Sequence, residues 1–167
     1  RLSGNGGPAV RKCPPDPDER LDFMLKITRK GTRATLLERD FTNRDGSLLP
    51  SLYFPALEKG GIAMNLISTR FGGVSEGQFA SLNLTSGRGD SREHVRENFA
   101  RIAAAFGTDL AHCVCSHQVH ETNVRRVGRE DAGMGILRPS VWESADGIVT
   151  NEPGLVLATF YADCVPL

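Results

Sequence analysis

The sequence lacks an excess of charge of either sign and lacks long apolar runs. Lys plus Arg and Asp plus Glu both number 20 in 167 residues. Without a basic excess, the chain has no general electrostatic attraction to nucleic acids or anionic membranes. No apolar stretch approaches the roughly 20 residues that a membrane-spanning helix needs. We therefore expect neither nucleic acid nor membrane as a partner.

Cysteine is also scarce, and its spacing argues against a disulfide framework. The four cysteines stand at positions 13, 113, 115 and 164. Cys113 and Cys115 are too close for an easy mutual bridge, and unpaired cysteines are typical of reducing compartments. The N-terminal segment has neither a starting Met nor the apolar core of a signal peptide. Together these absences predict a cytoplasmic protein.

Composition along the chain predicts a short lead-in followed by one domain. Residues 1–20 are rich in Gly, Pro and charge and can bury little apolar surface, so we expect them to be disordered. Residues 21–167 have the length of a single domain. Turn signals between short apolar segments predict two strand pairs in its first half. These pairs are 23–27 with 34–37, and 52–54 with 62–67, with a strong turn signal at 43–46.

A helix after the glycine-rich loop 69–90 is the clearest predicted element. Asp90-Ser-Arg-Glu93 matches a capping box with Asp90 as the N-cap. Apolar residues then recur at helical spacing, and Gly107 fits the C′ position that ends a helix. The apolar segments that follow predict strands at 113–119, 123–127, 147–150 and from 155 onward.

Histidine and cysteine cluster between the predicted helix and the next strand. If residues 113–120 are extended, Cys113, Cys115 and His117 share one face and His120 lies on the other. The first three could form the structural metal site of an interaction module. Free cysteines are more often buried as small apolar side chains, and this is the interpretation we favour for both. His120 stands at a strand end among polar residues, a position suited to a cleft.

Cys164 ends the last apolar segment and is the second candidate for chemistry. A thiolate needs a cation, a metal or a helix terminus to lower its pKa. Pairing with His120 would provide such a partner. The two residues could then be metal ligands, or the nucleophile and base of a cysteine hydrolase.

The loop 69–90 matches neither the Walker A motif nor the dinucleotide-binding fingerprint. Its backbone amides could still hold an anion. Arg70, Asn83 and Arg88 are its candidate contacts to substrate or phosphate.

Six short motifs occur together and in order within residues 50–167. They are Ser68-Thr-Arg-Phe-Gly-Gly-Val-Ser75, Ser81-Leu-Asn-Leu84, Gly89-Asp90, Gln118-Val-His120, Ala145-Asp-Gly-Ile-Val-Thr150 and Ala162-Asp-Cys-Val-Pro166. In this set the sequence resembles the YfiH-like laccase-domain family, formerly described as multicopper polyphenol oxidases and now regarded as zinc-dependent purine nucleoside phosphorylases.

The resemblance implies an α+β fold of layered mixed β-sheets with flanking helices, of the α/β/β/α type. It also implies phosphorolysis of adenosine, inosine, guanosine and methylthioadenosine, together with adenosine deaminase activity. Purine nucleosides and phosphate are then the partners, and the oligomeric state stays open. Copper-dependent polyphenol oxidation is the alternative, although four histidines without a His-x-His pair are few for a multicopper centre.

Carried over by motif, the resemblance implies that His120 and Cys164 are zinc ligands. Asp163 is then a candidate to orient one of them or to act in proton transfer. The family's third ligand is a histidine in a His-Ala-Gly-Trp-Arg-Gly segment that follows the Ala-Asp-Cys strand. This sequence has no such segment. We therefore expect the chain to be the N-terminal part of the domain, with the third ligand beyond Leu167. Three protein ligands would leave one open position on zinc.

Overall fold

The computed structural model describes residues 35–61, 63–85 and 87–161, which belong to a compact unit beginning at Thr35. The predicted lead-in and the predicted strand 23–27 lie outside these residues. The strands and helices are β1 (Leu37–Thr42), β2 (Leu48–Tyr53), α1 (Pro55–Lys59), β3 (Ile67–Ser68), α2 (Arg92–Ala105), β4 (Cys113–Cys115), β5 (Val124–Arg126), β6 (Gly147–Val149) and β7 (Val156–Ala158). Short 3-10 turns precede β4 and follow β5.

The first sheet is antiparallel, in the order β1-β2-β3. The predicted turn at 43–46 is confirmed between β1 and β2, where the Asn43 amide donates to the Ser47 carbonyl at 2.8 Å. Gly46 adopts a φ of +82° there, a backbone conformation that favours glycine.

The second predicted strand pair is shorter than expected, because α1 begins at Pro55 and β3 comprises only Ile67 and Ser68. A proline in the first helical turn is already set for helix formation. Between the two strands, the Asn65 side chain binds the Phe54 amide at 2.7 Å and the Phe54 carbonyl at 3.0 Å, in place of a longer strand ladder.

The predicted helix is α2, and its start differs from the prediction by one residue. Ser91, not Asp90, is the N-cap, because its hydroxyl accepts from the amides of Glu93 and His94 at 3.2 and 3.3 Å. Asp90 instead binds the preceding loop. The predicted end at Gly107 is confirmed by its φ of +72°.

The end of α2 is a Schellman motif. The amide of Thr108 donates to Ala103 and the amide of Gly107 donates to Ala104, at 3.1 and 2.9 Å.

The second half of the chain contains two parallel strand pairs, β4 with β7 and β5 with β6. All three residues of β4 are buried, which confirms the predicted burial of Cys113 and Cys115. Apolar clusters lie around this strand. Cys113 packs with residues of α2, whereas Val114 packs with Val127 and Met134. Burial on both faces is typical of parallel strands.

An antiparallel sheet, parallel strand pairs and few helices confirm the predicted α+β class. Among the described residues, no helix is long and apolar enough to cross a membrane.

The glycine-rich loop is fixed to α2 by one buried side chain. Asn98 is fully buried, and its Oδ1 accepts from the Val74 amide at 2.8 Å. Its Nδ2 donates to the Ser75 hydroxyl at 2.9 Å and to the Asn83 carbonyl at 2.8 Å. Asp90 joins the same network, since its Oδ2 accepts from Ser75 and Asn83. This network gives a loop with little regular structure a defined conformation.

We expect Asn98→Ala to lower the free energy of unfolding by about 3 kcal/mol or more, because it leaves buried amide and carbonyl groups without partners. Urea unfolding measures the change. Arg96→Ala is the matched control, because Arg96 is exposed on the same helix, and its effect should stay within about 0.5 kcal/mol. Equal stability of the two variants would contradict the role given to Asn98.

Gly72 and Gly154 form a matched pair for testing how closely the glycine-rich loop packs against the backbone of β2 at Gly72. Both have a φ of +88°, but a Cβ on Gly72 would overlap the Leu48 carbonyl and lie 2.7 Å from the Leu49 Cα, whereas a Cβ on Gly154 meets nothing within 4 Å. Gly154→Ala should cost about 1–2 kcal/mol for the left-handed backbone alone. Gly72→Ala should lower the melting temperature clearly further, and similar shifts would disprove the packing at Gly72.

Candidate functional site

His120 lies in a loop between β4 and β5, formed by residues 117–123 and called here the His120 loop. At one end of the loop, His117 and Ala145 exchange two backbone hydrogen bonds, of 3.1 and 2.7 Å. At the other end, the Asn123 carbonyl accepts from the amides of Asp146 and Gly147, at 2.9 and 3.1 Å. Both ends of the loop are therefore fixed to the segment 144–147 that leads into β6.

The backbone at His120 has an unusual conformation. Its φ is +64°, and it is the one non-glycine residue with a positive φ in the part of the chain that the structure describes. Non-glycine residues seldom adopt this region, and they are held in it only when surrounding contacts fix them. The side chain is exposed. Its ring forms no hydrogen bond with any other described residue, so its nitrogens are accessible.

Asp146 provides a contact that holds this loop. Its Oδ1 accepts from the Val119 amide at 2.9 Å. Its Oδ2 is buried and has no hydrogen-bond partner within the described ranges. Burial alone would raise the pKa of Asp146. The amides of Val119, Glu121 and His120, together with the His120 ring, outweigh burial and hold the pKa below its usual value. The carboxylate is thus charged at neutral pH and faces backbone donors.

Side chains at both ends of the His120 loop also contact neighbouring residues. The Asn123 Nδ2 donates to the Ser144 hydroxyl at 2.5 Å and to the Glu121 carboxylate at 3.0 Å. The Nδ1 of His117 lies 2.9 Å from the Trp142 carbonyl oxygen. The His117 ring is therefore exposed but already has a hydrogen-bond partner in the neighbouring segment. The His120 ring has none among the described residues.

The alternative structural metal site of Cys113, Cys115 and His117 does not form. The strand ends at Cys115, and His117 then pairs with Ala145 instead of continuing beside β7. Across residues 35–61, 63–85 and 87–161, no three His, Cys, Asp or Glu side chains are grouped in a way that could hold a metal.

Both cysteines of β4 are buried free thiols with raised pKa values. Burial raises the pKa of Cys113 to about 11, with a further contribution from the Asp109 carboxylate. Burial raises the pKa of Cys115 to about 12, and Cys113 adds to the shift. A thiol with such a pKa is protonated at neutral pH and is neither a nucleophile nor a ready ligand.

The predicted loop contacts Arg70, Asn83 and Arg88 lie in the segment that Asn98 holds. The Arg70 guanidinium donates to the Ala80 carbonyl at 3.0 and 2.6 Å. The Asn83 amide donates to the Asp90 carboxylate at 2.8 Å, and Arg88 is exposed.

None of these three side chains is hydrogen-bonded to His120 in the part of the chain described. Their contact with substrate or phosphate stays a prediction.

Asp163 and Cys164 lie outside the described residues, but β7 precedes them. The strands β4 and β7 are parallel, with Cys115 opposite Ala158, so their carboxyl ends lie at the same edge of the sheet. The His120 loop follows the carboxyl end of β4, and Cys164 comes six residues after the end of β7. Ligand sites of α/β proteins are commonly built beyond the carboxyl ends of parallel strands.

The sequence matches the model of a known protein family. A family model described as multi-copper polyphenol oxidoreductase laccase matches residues 64–167, more than half of the chain. The chain belongs to this family. The resemblance that the six motifs indicate is thereby confirmed.

Laccase-family relatives of the chain include proteins named as purine nucleoside phosphorylases. The chain is 38% identical to purine nucleoside phosphorylase YlmD of Geobacillus stearothermophilus, over 60% of this chain and 37% of that protein. It is 40% identical to the YlmD of Bacillus subtilis, over 60% of this chain and 36% of that protein. The chain thus spans little more than a third of the length of these relatives.

A solved structure supports the fold. The hypothetical protein YfiH of Bacillus licheniformis superposes with a TM-score of 0.58 at 30% identity, over 68% of this chain and 42% of that one.

The sequence pattern predicts a role for His120 but gave no sign that Asp146 contacts the His120 loop. Asp146 belongs to the motif Ala145–Thr150, yet its partner Val119 is 27 residues away. The signal available in the sequence was an acidic residue directly after two small residues, Ser144 and Ala145. The structure shows both of these small residues to be buried.

We expect Cys113 and Cys115 of the native protein to react with iodoacetamide at pH 8 at least about 100-fold more slowly than after unfolding in guanidinium. Their raised pKa values leave almost no thiolate at that pH, and labelling should rise only as the pH approaches 11. Peptide mapping by mass spectrometry measures each site. Fast labelling of either native thiol would show that β4 is not buried as described.

Proposed function

We propose that the full-length protein is a purine nucleoside phosphorylase whose zinc centre includes His120 and Cys164. The observation that carries the proposal is the parallel pairing of β4 with β7. The carboxyl ends of both strands therefore lie at one edge of the sheet, where the His120 loop follows β4, and Cys164 comes six residues after β7 in the sequence. The names of the similar YlmD proteins supply the reaction.

The donor chemistry of these two residues suits zinc. Zinc in proteins binds imidazole nitrogen and thiolate sulfur, and a catalytic site keeps one position open. The exposed His120 ring, without a hydrogen bond to another described residue, fits one such ligand. When bound, zinc supplies Lewis acidity. Asp163 is the proposed residue that orients a ligand, as carboxylates near metal sites commonly do.

The proposed substrates are adenosine, inosine, guanosine and methylthioadenosine with phosphate, and adenosine deamination is a second proposed activity. Arg70 and Arg88 are the cations of the glycine-rich loop that could bind phosphate, and Asn83 could bind the nucleoside. Arg70 is already oriented by Ala80, which reduces the conformational entropy lost when a guanidinium binds an anion. Free thiols at Cys113 and Cys115 support a cytoplasmic location.

A copper polyphenol oxidase is the second candidate, favoured by the description of the family. Three of the four histidines have partners of their own. The rings of His94, His112 and His117 lie 3.6, 2.8 and 2.9 Å from Asp90, Asp109 and the Trp142 carbonyl. This arrangement favours a metal centre with one histidine from the described residues and argues against a multicopper cluster.

The direct test is to incubate the full-length protein with inosine and phosphate and to follow hypoxanthine by chromatography. We expect phosphate-dependent release that a chelator abolishes and zinc restores. Stoichiometric copper with rapid oxygen uptake on a phenol would establish the oxidase instead. Activity that resists chelators but is lost on alkylation of Cys164 would establish a cysteine hydrolase.

We expect His120→Ala to lower the phosphorolysis rate at least about 100-fold, because it removes a proposed metal ligand. His117→Ala is the matched control on the same loop, since the His117 ring is bound to Trp142. Its rate should stay within about threefold of the parent. Circular dichroism checks the fold of both variants. Equal rates for the two variants would remove His120 from the centre.

A further inference from the structure

The carboxylate of Asp146 binds the backbone of the His120 loop. Oδ1 of Asp146 accepts from the Val119 amide at 2.9 Å. The next two amides along the turn, of His120 and Glu121, help to lower the pKa of Asp146 against the opposing effect of burial, although neither forms a hydrogen bond to it. Successive backbone amides in a turn make a concave anion site, or nest. In this loop the bound anion is a side chain of the protein itself.

The left-handed backbone of His120 follows from the same geometry. A turn that points consecutive amides toward one side requires a residue with positive φ, and His120 supplies it at +64°. For a non-glycine residue this conformation is unfavourable by roughly 1 kcal/mol or more. A buried carboxylate that binds the amides provides a compensating interaction. Without it, the loop loses the contact at its centre, although its two ends stay fixed.

We propose that Asp146 is a positioning residue, which holds the turn at Val119–Glu121 so that the His120 imidazole is presented outward as a ligand. Asp146 acts through the backbone and does not itself bind the metal. The proposal rests on the proposed function only in naming His120 as the ligand. The conformation of the loop can be tested without any metal.

The fixed ends of the loop support this assignment. The amide of Asp146 donates to Asn123 at 2.9 Å, and the preceding residue, Ala145, is paired with His117. The backbone of Asp146 is therefore anchored from both sides, and Ala145 is fully buried. A carboxylate on such a rigid segment can hold a turn that has no regular secondary structure of its own.

The test compares Asp146→Ala with Asp146→Asn in the full-length protein. Asparagine keeps an oxygen that can accept from the Val119 amide, whereas alanine removes it. In metal-free protein, amide hydrogen exchange of Val119 should accelerate at least about 10-fold in Asp146→Ala and less than about threefold in Asp146→Asn. Competition with a chromophoric chelator should show zinc affinity reduced about 10- to 100-fold in Asp146→Ala, the usual effect of losing a group that orients a ligand.

Asp131→Ala is the matched control. Its carboxylate also accepts one backbone amide, from Gly128 at 3.0 Å, in a different turn. This variant should leave both the Val119 exchange rate and zinc affinity unchanged, which separates positioning from general loss of stability. If Asp146→Ala does not fold, Asp146→Ser, whose side chain is one atom shorter than that of Asp, should show the same accelerated exchange.

Unchanged Val119 exchange in Asp146→Ala would overturn the proposal, as would reduced zinc affinity of equal size in Asp131→Ala. Failure of the parent protein to bind zinc would reject the proposed function alone. In that case the exchange rates still decide whether Asp146 holds the turn.

Discussion

The parallel ladder between β4 and β7 is the interaction on which the rest of this structure depends. The ladder has only three residue pairs, but β4 is buried along its whole length. Both apolar clusters contain residues of β4 and β7, so both depend on the register of the two strands. One cluster packs α2 against Cys113, and the other packs Val114 against Val127 and Met134. Because the strands run in the same direction, the segments that leave them share an edge. The pairing that buries β4 therefore also sets the edge of the sheet from which the His120 loop leaves.

Short sequence patterns predicted the elements whose hydrogen bonds join residues close together in the sequence. The periodicity of α2 and Gly107 marked a helix and its end because the bonds that define them span only a few residues. The N-cap was misassigned because Asp90 and Ser91 are both good caps. The choice between them depends on Ser75 and Asn83, whose side chains donate hydrogen bonds to the Asp90 carboxylate. Those partners are distant enough that no capping pattern includes them.

Long-range pairing explains the other differences. The predicted strand 113–119 is cut at Cys115 because His117 pairs with Ala145, a contact between residues 28 positions apart. Alternation of side chains along one strand cannot anticipate a change of partner strand. The burial of both cysteines was predictable, since it follows from residue type alone. The motif makes His120 a candidate ligand, but its φ of +64° and the contact of its loop with Asp146 had no local signal.

The φ of +64° at His120 has a consequence for how this loop could evolve. Glycine adopts that conformation without a steric penalty, so a sequence selected only for folding would place glycine there. A histidine at such a position gives up some thermodynamic stability in return for its ring. Variants selected for heat resistance alone should therefore tend to lose this side chain first, and with it whatever chemistry the loop performs.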